Sequence, residues 1–112
     1  METARRHRIN TVTVVNNNHS YGQCIAAVER AYAPYPGKPE GYSGHPEEIY
    51  GISETNFAAL AESIGIRGIR VTDPGDLDGA IAEALTFDGP VIVDVVTDQA
   101  SRAPSGWRPP NA

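Results

Sequence analysis

The strongest candidate for chemistry in this chain is the run Asn16–Tyr21, which holds three asparagines, a histidine and a serine. Asparagine side chains offer neutral oxygen atoms to a hard cation, and a turn also exposes backbone carbonyls. Magnesium takes such oxygen ligands and usually bridges to substrate phosphates. The same residue types dominate ordinary turns. From the residues alone, the run is therefore either a plain turn or part of a magnesium site.

The residues before this run predict the strand that positions it. Thr11–Val15 is β-branched and almost continuous, which is typical of a parallel strand buried on both faces. Asn16 to Ser20 are turn formers that would end this strand. Because ligands in open α/β sheets bind beyond the carboxyl ends of the strands, the asparagines would lie at a favourable place for a site.

The rest of the chain alternates between helix and strand patterns. Strands that alternate with helices predict an α/β fold, here three layers with a mainly parallel sheet flanked by helices. The first and last predicted strands have the almost continuous apolar sequences of interior strands, so we expect further strands beside them. Residues 2–8 are predicted to be the end of a helix, residues 22–32 a second helix, and residues 66–71 and 91–96 strands. A third helix is predicted from one apolar stripe, formed by Phe57, Leu60, Ala61 and Ile64, and Gly65 would end it. A fourth helix would be capped by Asp73-Pro74, and its apolar stripe consists of Leu77, Ala80, Ile81, Ala84 and Leu85.

Two segments are predicted to be irregular. Between Pro34 and Pro46, seven of thirteen positions are Gly or Pro, and four of the five tyrosines lie in or beside the loop 33–52. Such a long loop is usually either functional, for example as a cover for an active site, or disordered. The proline-containing tail is also expected to be irregular. We therefore divide the chain into a domain at 1–98 and a tail at 99–112.

Composition excludes several classes of protein. A chain of 112 residues suits one domain, and its formal net charge of −5 argues against a nucleic-acid partner. No apolar run is long enough for a membrane helix. The single cysteine, Cys24, can form neither an internal disulfide nor a cysteine-based zinc site, so a cytoplasmic location is expected. As a nucleophile Cys24 lacks an evident partner base, and it is better explained as a small residue on a helix.

Several segments resemble one enzyme family in order and spacing. Val14–Gly22 resembles the Asn-Asn end of the thiamine-diphosphate motif, which begins with Gly-Asp-Gly about thirty residues earlier. Glu2–Arg6 resembles the Glu-Leu-x-Thr-Ala-x-Arg helix inside that motif. Asn56–Ala61, Gly68–Val71 and Asp88–Val95 are similar to the closing segments of acetolactate-synthase-like enzymes. The resemblance covers most of residues 2–98 and implies a partial thiamine-diphosphate-binding domain.

The resemblance also assigns roles to single residues. The side-chain oxygen of Asn18 and the backbone carbonyl of Ser20 would bind Mg²⁺, which would anchor the diphosphate of the cofactor. Asn17 would shape the turn, and Tyr21 and Gly22 would complete the cofactor-binding stretch. His19 lies beside this turn and is either a contact to substrate or cofactor or, more simply, an exposed turn residue.

The sequence departs from the family pattern at important points. The Gly-Asp-Gly half, which supplies an aspartate ligand to Mg²⁺, is absent, and no segment resembles the domain that supplies the activating glutamate. Gln23 and Asn16 stand where methionine and leucine are common. Because Met1 falls inside the family motif, we expect a truncated, internally started or split gene product.

The resemblance therefore implies a partial enzyme of 2-oxo acid decarboxylation and carboligation, with thiamine diphosphate and Mg²⁺ as cofactors. The isolated chain is expected to be inactive and to form a homo-oligomer or join a partner chain that carries the missing domains. The alternative is a non-catalytic α/β module that binds a partner through an unpaired strand edge and apolar faces.

Overall fold

The structure is a computed structural model that describes residues 1–101. Residues 102–112, which include most of the predicted tail and Trp107, lie outside the described residues, so the predicted boundary at residue 98 stays a prediction. The helices and strands, in chain order, are α1 (Glu2–Arg6), β1 (Val12–Asn17), α2 (Ile25–Tyr32), α3 (Glu47–Tyr50), α4 (Phe57–Ser63), β2 (Arg67–Val71), α5 (Leu77–Thr86) and β3 (Val91–Val96). Short 3₁₀ turns at Gly22–Cys24 and Pro74–Asp76 precede α2 and α5.

The three strands form one parallel sheet in the order β1-β3-β2. The last strand of the sequence is the central one, and its residue Val93 aligns with Val14 on one side and Ile69 on the other. A parallel sheet with helical crossovers confirms the predicted α/β class.

One face of the sheet packs against α5 and holds the main hydrophobic core. Val91 and Val93 are fully buried there, because side chains at alternate positions of β3 point to the same face. They contact Val71 and the small residues Ala80 and Ala84 of α5. These small residues let α5 approach the sheet closely. The predicted apolar stripe of α5 is therefore correct for Ala80 and Ala84.

The opposite face of the sheet packs against α4. Gly68 of β2 lies under this helix, and a Cβ atom at Gly68 would overlap the backbone carbonyl of Ala58. The α4 helix begins at the cap residue Asn56, whose side chain accepts a hydrogen bond from the Ala59 N–H at 2.8 Å. Helices on both faces of the sheet give the three predicted layers.

The prediction that β1 is buried on both faces is wrong for the described residues. Val12 and Val14 are 36% and 52% exposed on the face that α5 covers elsewhere. Within residues 1–101 only β3 pairs with β1, so β1 is an edge strand. The strand also continues through Asn16 and Asn17, which we had expected to end it, because both pair in register with β3.

Parts of the predicted helix stripes are also wrong. Leu60, Ile64 and Leu85 are exposed, whereas Ala58 and Ala61 of α4 are buried. The α4 helix approaches the sheet with its smallest side chains, and residues 1–101 place nothing over its outer apolar side chains. No helix of this part of the chain is both long and apolar enough to cross a membrane.

The loop 33–52 is not irregular along its whole length. It contains α3, and the rings of Tyr35 and Tyr42 lie 5.9 Å apart with their hydroxyl groups 3.1 Å from each other. The amino group of Lys38 lies 4.5 Å from the Tyr42 ring centroid. The end of this loop returns to the asparagine run, where Gly51 forms an antiparallel bridge with Ser20.

Candidate functional site

Asn17 ends β1 as a buried side chain that is held on its nitrogen side. It is 5% exposed, and its amide nitrogen donates to Asp94 Oδ1 and to the Thr55 carbonyl, both at 2.9 Å. Because both bonds use the nitrogen of the amide, the side-chain orientation is fixed. These two bonds hold Asn17 in place directly before the turn, and the turn-shaping role that the resemblance gave to Asn17 stays a prediction.

Asp94 is the centre of a buried polar network that the sequence analysis missed. It is fully buried on β3, and its Oδ2 accepts from the Phe57 N–H at 2.9 Å and from Arg70 Nη1 at 2.8 Å. A buried carboxylate is tolerated only when such partners replace water. The available signal was an aspartate inside an otherwise apolar strand, with an arginine on the neighbouring strand.

This network joins the first strand, the last strand and α4. Asp94 links Asn17 of β1 to the first backbone N–H of α4. Arg70 adds β2 to the network, because it aligns with Asp94 across the sheet and donates to its carboxylate. Arg70 also donates to the Thr55 carbonyl at 3.3 Å. The turn that follows Asn17 is therefore attached to a rigid base.

Asn18 and Ser20 form the turn itself. The Asn18 side-chain oxygen accepts from the Ser20 N–H at 3.2 Å, and His19 between them has a φ of +51°. Two backbone bonds tie the turn to the loop 33–52: Tyr21 N–H to the Tyr50 carbonyl and Ile52 N–H to the His19 carbonyl, both at 2.8 Å. Neither bond uses the Ser20 carbonyl.

Gly22 packs directly against the Asn18 side chain. A Cβ atom at this position would lie 2.8 Å from Asn18 Nδ2 and 3.8 Å from Ser20 Oγ. Any larger residue would push the Asn18 side chain away from its place in the turn. This close approach explains why a glycine stands at the position that matches the family glycine.

Two polar atoms of the turn are buried without a hydrogen-bond partner in residues 1–101. They are His19 Nδ1 and Ser20 Oγ. Such atoms are rare in folded proteins and call for an explanation such as an absent ion or water. A cavity of about 130 Å³ adjoins them, and its lining includes Asn17, Asn18, Ser53 and Thr55.

The oxygen atoms of this turn could serve as some of the ligands of a magnesium site. An amide oxygen and a backbone carbonyl are ligands that Mg²⁺ accepts. Among residues 1–101, no group of three or more His, Cys, Asp and Glu side chains could hold a metal by itself. The turn therefore offers neutral oxygen ligands, and a complete site would need others.

The side chains of the remaining candidates, Tyr21, Asn16 and Cys24, make other contacts or are exposed. The Tyr21 side chain is 62% exposed, and its backbone closes the bridge to the loop. The Asn16 side-chain oxygen accepts from Thr97 Oγ1 at 2.6 Å and so belongs to the β1–β3 edge. Cys24 is exposed in the 3₁₀ turn before α2. The structure thus brings together Asn17, Asn18, Ser20 and Gly22.

The fold is a parallel α/β sheet with an asparagine-rich turn at its carboxyl edge, and Gly22 packs against the Asn18 side chain of that turn. The family described as thiamine pyrophosphate enzyme, C-terminal TPP binding domain, matches residues 1–95. The chain belongs to this family. The predicted resemblance is therefore confirmed.

Relatives and a solved structure agree with the family. The chain is 31% identical over 88 residues to chloroplastic acetolactate synthase 2 of Zea mays, covering 76% of this chain and 13% of that protein. It is 27% identical over 107 residues to a 2-hydroxyacyl-CoA lyase of Oryza sativa subsp. japonica, and the match covers 95% of this chain and 17% of that protein. It is similar in structure, with a TM-score of 0.67 and 26% identity, to the Rhodococcus jostii RHA1 thiamine diphosphate-dependent 4-hydroxybenzoylformate decarboxylase, covering 87% of this chain and 16% of that one.

The chain spans about a sixth of the length of the relatives that it matches. The relatives differ in the reactions that their names describe. The family and its cofactor class follow from the match, whereas a particular substrate does not.

Proposed function

We propose that this chain contributes the Asn-Asn end of a magnesium–diphosphate site to a thiamine-diphosphate-dependent enzyme that acts on 2-oxo acids. Asn18 Oδ1 and the Ser20 carbonyl would be two ligands of Mg²⁺. The bound cofactor would supply the carbanion chemistry, and the protein would position it. The carboligation of acetolactate synthases is the parent reaction that the relatives suggest.

The observation that supports this proposal best is the turn Asn18–Gly22 on its rigid base. Asp94 fixes Asn17, Gly22 leaves room for Asn18, and the two backbone bonds to the loop 33–52 leave the Ser20 carbonyl unused. A ligand turn must be held in place before the metal arrives, because each degree of freedom lost on binding weakens the affinity.

The same geometry supports inactivity of the chain alone. The cavity beside the turn is lined without a carboxylate. Mg²⁺ prefers six oxygen ligands, so two ligands from this turn leave most coordination positions to other groups. Because both of these ligands are neutral, other groups must also balance the charge of the metal. We infer that a partner chain, or further domains, supply an acidic ligand and the activating glutamate.

The test uses the full chain alone and mixed with a chain that carries the Gly-Asp-Gly half of the motif. Calorimetry measures Mg²⁺-dependent binding of thiamine diphosphate, and pyruvate consumption measures turnover. We expect no turnover from the chain alone and recovered cofactor binding in the mixture. Turnover of pyruvate by the chain alone would refute the inactivity.

Two asparagine variants test the ligand assignment. Asn18→Ala should weaken cofactor binding in the mixture at least about tenfold, as loss of groups around a metal does. Asn10→Ala is the matched control, because Asn10 lies before β1, does not line the cavity beside the turn, and donates its side-chain bond to Asp88, so its effect should stay within about twofold. Equal effects of the two variants would contradict the assignment.

A second candidate function, a non-catalytic module that associates with a partner, is favoured by one observation. The exposed apolar residues Ile9, Val12 and Val14 lie on or beside the unpaired edge of β1. Light scattering separates the candidates: a monodisperse monomer without affinity for the cofactor in any mixture would favour the module. Association together with cofactor binding would favour the enzyme subunit.

A further inference from the structure

A second cavity lies at the end of the sheet opposite the asparagine turn. It has a volume of about 320 Å³, and Arg5, Arg8, Arg67, Phe87 and Asp88 line it. These residues lie where β1, β2 and β3 begin. Strands of six residues place this end roughly 17 Å from the asparagines, at about 3.3 Å per residue. The cavity is therefore separate from the site proposed above.

The arginines of this cavity differ in how their charges are balanced. Arg67 donates from Nε and Nη2 to Glu83 Oε1 at 3.0 and 2.7 Å, and its Nη1 lies 3.6 Å from Glu62. Within residues 1–101, neither Arg5 nor Arg8 has a carboxylate at ion-pair distance. Two guanidinium groups thus face the cavity without a counter-charge of their own.

Gly65 creates the space in which the Arg5 guanidinium lies. A Cβ atom at Gly65 would be 2.7 Å from Arg5 Cζ and 2.9 Å from its Nη2. The glycine has a φ of +72°, as expected after the end of α4. The planar guanidinium is therefore laid against the backbone at the entrance of β2, which limits its freedom and prepares it to bind a ligand.

The remaining lining offers an apolar wall and one carboxylate. Phe87 is 41% exposed, and Pro90 lies beside it in the cavity. Asp88 accepts a hydrogen bond from Asn10 Nδ2 at 3.3 Å. Its single negative charge opposes the two unpaired arginines only in part.

We propose that this cavity binds a phosphate monoester of a small organic molecule. Arg5 and Arg8 would donate to the phosphate oxygens, because guanidinium groups match phosphate in geometry and charge. Phe87 and Pro90 would contact the organic part. Cavities of this size bind small molecules through apolar walls and a few placed polar groups. The site needs no thiamine diphosphate and does not depend on the function proposed above.

The experiment titrates the full chain with inorganic phosphate and with phenyl phosphate at physiological ionic strength. Calorimetry gives the affinities, and amide NMR shifts at Gly65 and Gly89 report the location. We expect saturable binding, with phenyl phosphate binding more tightly than inorganic phosphate. Arg5→Gln or Arg8→Gln should weaken the binding at least about tenfold, the effect of one lost charge-assisted contact.

Arg6→Gln is the matched control on the same helix. Arg6 pairs with Glu2 at 3.3 Å and does not line the cavity, so its variant should stay within about twofold. Asp88→Asn should strengthen the binding, and Phe87→Ala should abolish the advantage of phenyl phosphate. Circular dichroism confirms that each variant is folded. Absence of saturable binding to the folded wild-type chain, or equal losses in Arg5→Gln and Arg6→Gln, would overturn the proposal.

Discussion

Three consecutive asparagines in this chain have three different partners. Asn16 accepts from Thr97, Asn17 donates to Asp94, and Asn18 accepts from the backbone of Ser20. The first two bonds span about eighty positions of sequence, and the third spans two. Residue type alone does not separate these roles, because Asn16 and Asn17 point to opposite faces of β1, whereas Asn18 lies in the turn that follows it.

Asp94→Ala should be one of the most destabilising single changes in the chain. It would leave the Asn17 amide, the Phe57 N–H and the Arg70 guanidinium without their buried acceptor. Breaking a buried charged pair costs about 3–5 kcal/mol, a large share of the stability of a small domain. Urea unfolding measures the loss.

Asp94→Asn and Asp88→Ala are the comparisons for this prediction. The asparagine keeps one oxygen acceptor, so the loss should be smaller than for alanine. Asp88 has one exposed contact to Asn10, and its removal should change the free energy of unfolding by less than about 0.5 kcal/mol. A loss of that small size for Asp94→Ala would contradict the network.

Glu47 at the start of α3 should titrate below its ordinary range. Its own backbone N–H lowers the pKa of this exposed carboxyl most, and a 3.0 Å bond to His45 lowers it further. A lowered folded-state pKa means that the interaction stabilises α3 above the ordinary glutamate pKa and is lost as the pH falls through the lowered value. NMR titration of the Glu47 carboxylate measures this midpoint.

His45→Ala separates the two causes. The Glu47 pKa should rise only part of the way towards its ordinary value, because the backbone N–H stays in place. A complete return to the value of an unstructured peptide would show that His45 alone is responsible.

At the scale of elements, two glycines should respond to alanine in opposite directions. Gly68→Ala would press a methyl group into the Ala58 carbonyl and separate α4 from β2, at a cost of about 1–3 kcal/mol. Gly79 lies within α5 with open space around it, so Gly79→Ala should stabilise the chain by about 0.5–1 kcal/mol. Thermal unfolding measures both, and a loss of stability for Gly79→Ala would contradict the packing described for α5.

The elements that local signals define were predicted well. The strand at 91–96 has the predicted bounds, and the Asp73-Pro74 signal marks a real cap, with Asp73 accepting from the Gly75 N–H at 2.8 Å. The exposure of Val14, Leu60 and Leu85 was not predicted. Apolar periodicity shows which face of an element seeks cover but not whether residues of the same chain provide it.

The site was predicted only as far as its resemblance to the family extends. That resemblance pointed to Asn18, Ser20 and Gly22, and the close approach of Gly22 to Asn18 gives the glycine a physical reason. The link between Asn17 and Asp94 crosses 77 positions and depends on the β1–β3 register, which no local pattern specifies.

At the scale of the whole molecule, the unpaired side of β1 should drive association. Val14 is 52% exposed on a strand whose backbone pairs on one side only within the described part of the chain. An exposed apolar edge is a template for pairing. Val14→Lys should therefore shift the chain towards monomer, as measured by light scattering over a range of concentrations.

Leu85→Lys is the control for this prediction. Leu85 is 70% exposed on α5, away from the strand edge, so its replacement should leave the association unchanged. An equal shift by both variants would indicate non-specific hydrophobic contact.

The strand order β1-β3-β2 also determines when the sheet can form during synthesis. The strands β1 and β2 do not pair with each other, and both wait for Val91–Val96. Until β3 is made, β1 and β2 therefore form no ladder hydrogen bonds with each other, and closing β1 onto β3 spans a long stretch of chain. Both pairings of this sheet consequently form only with β3, and a chain that lacks β3 keeps the edges of β1 and β2 open to other molecules.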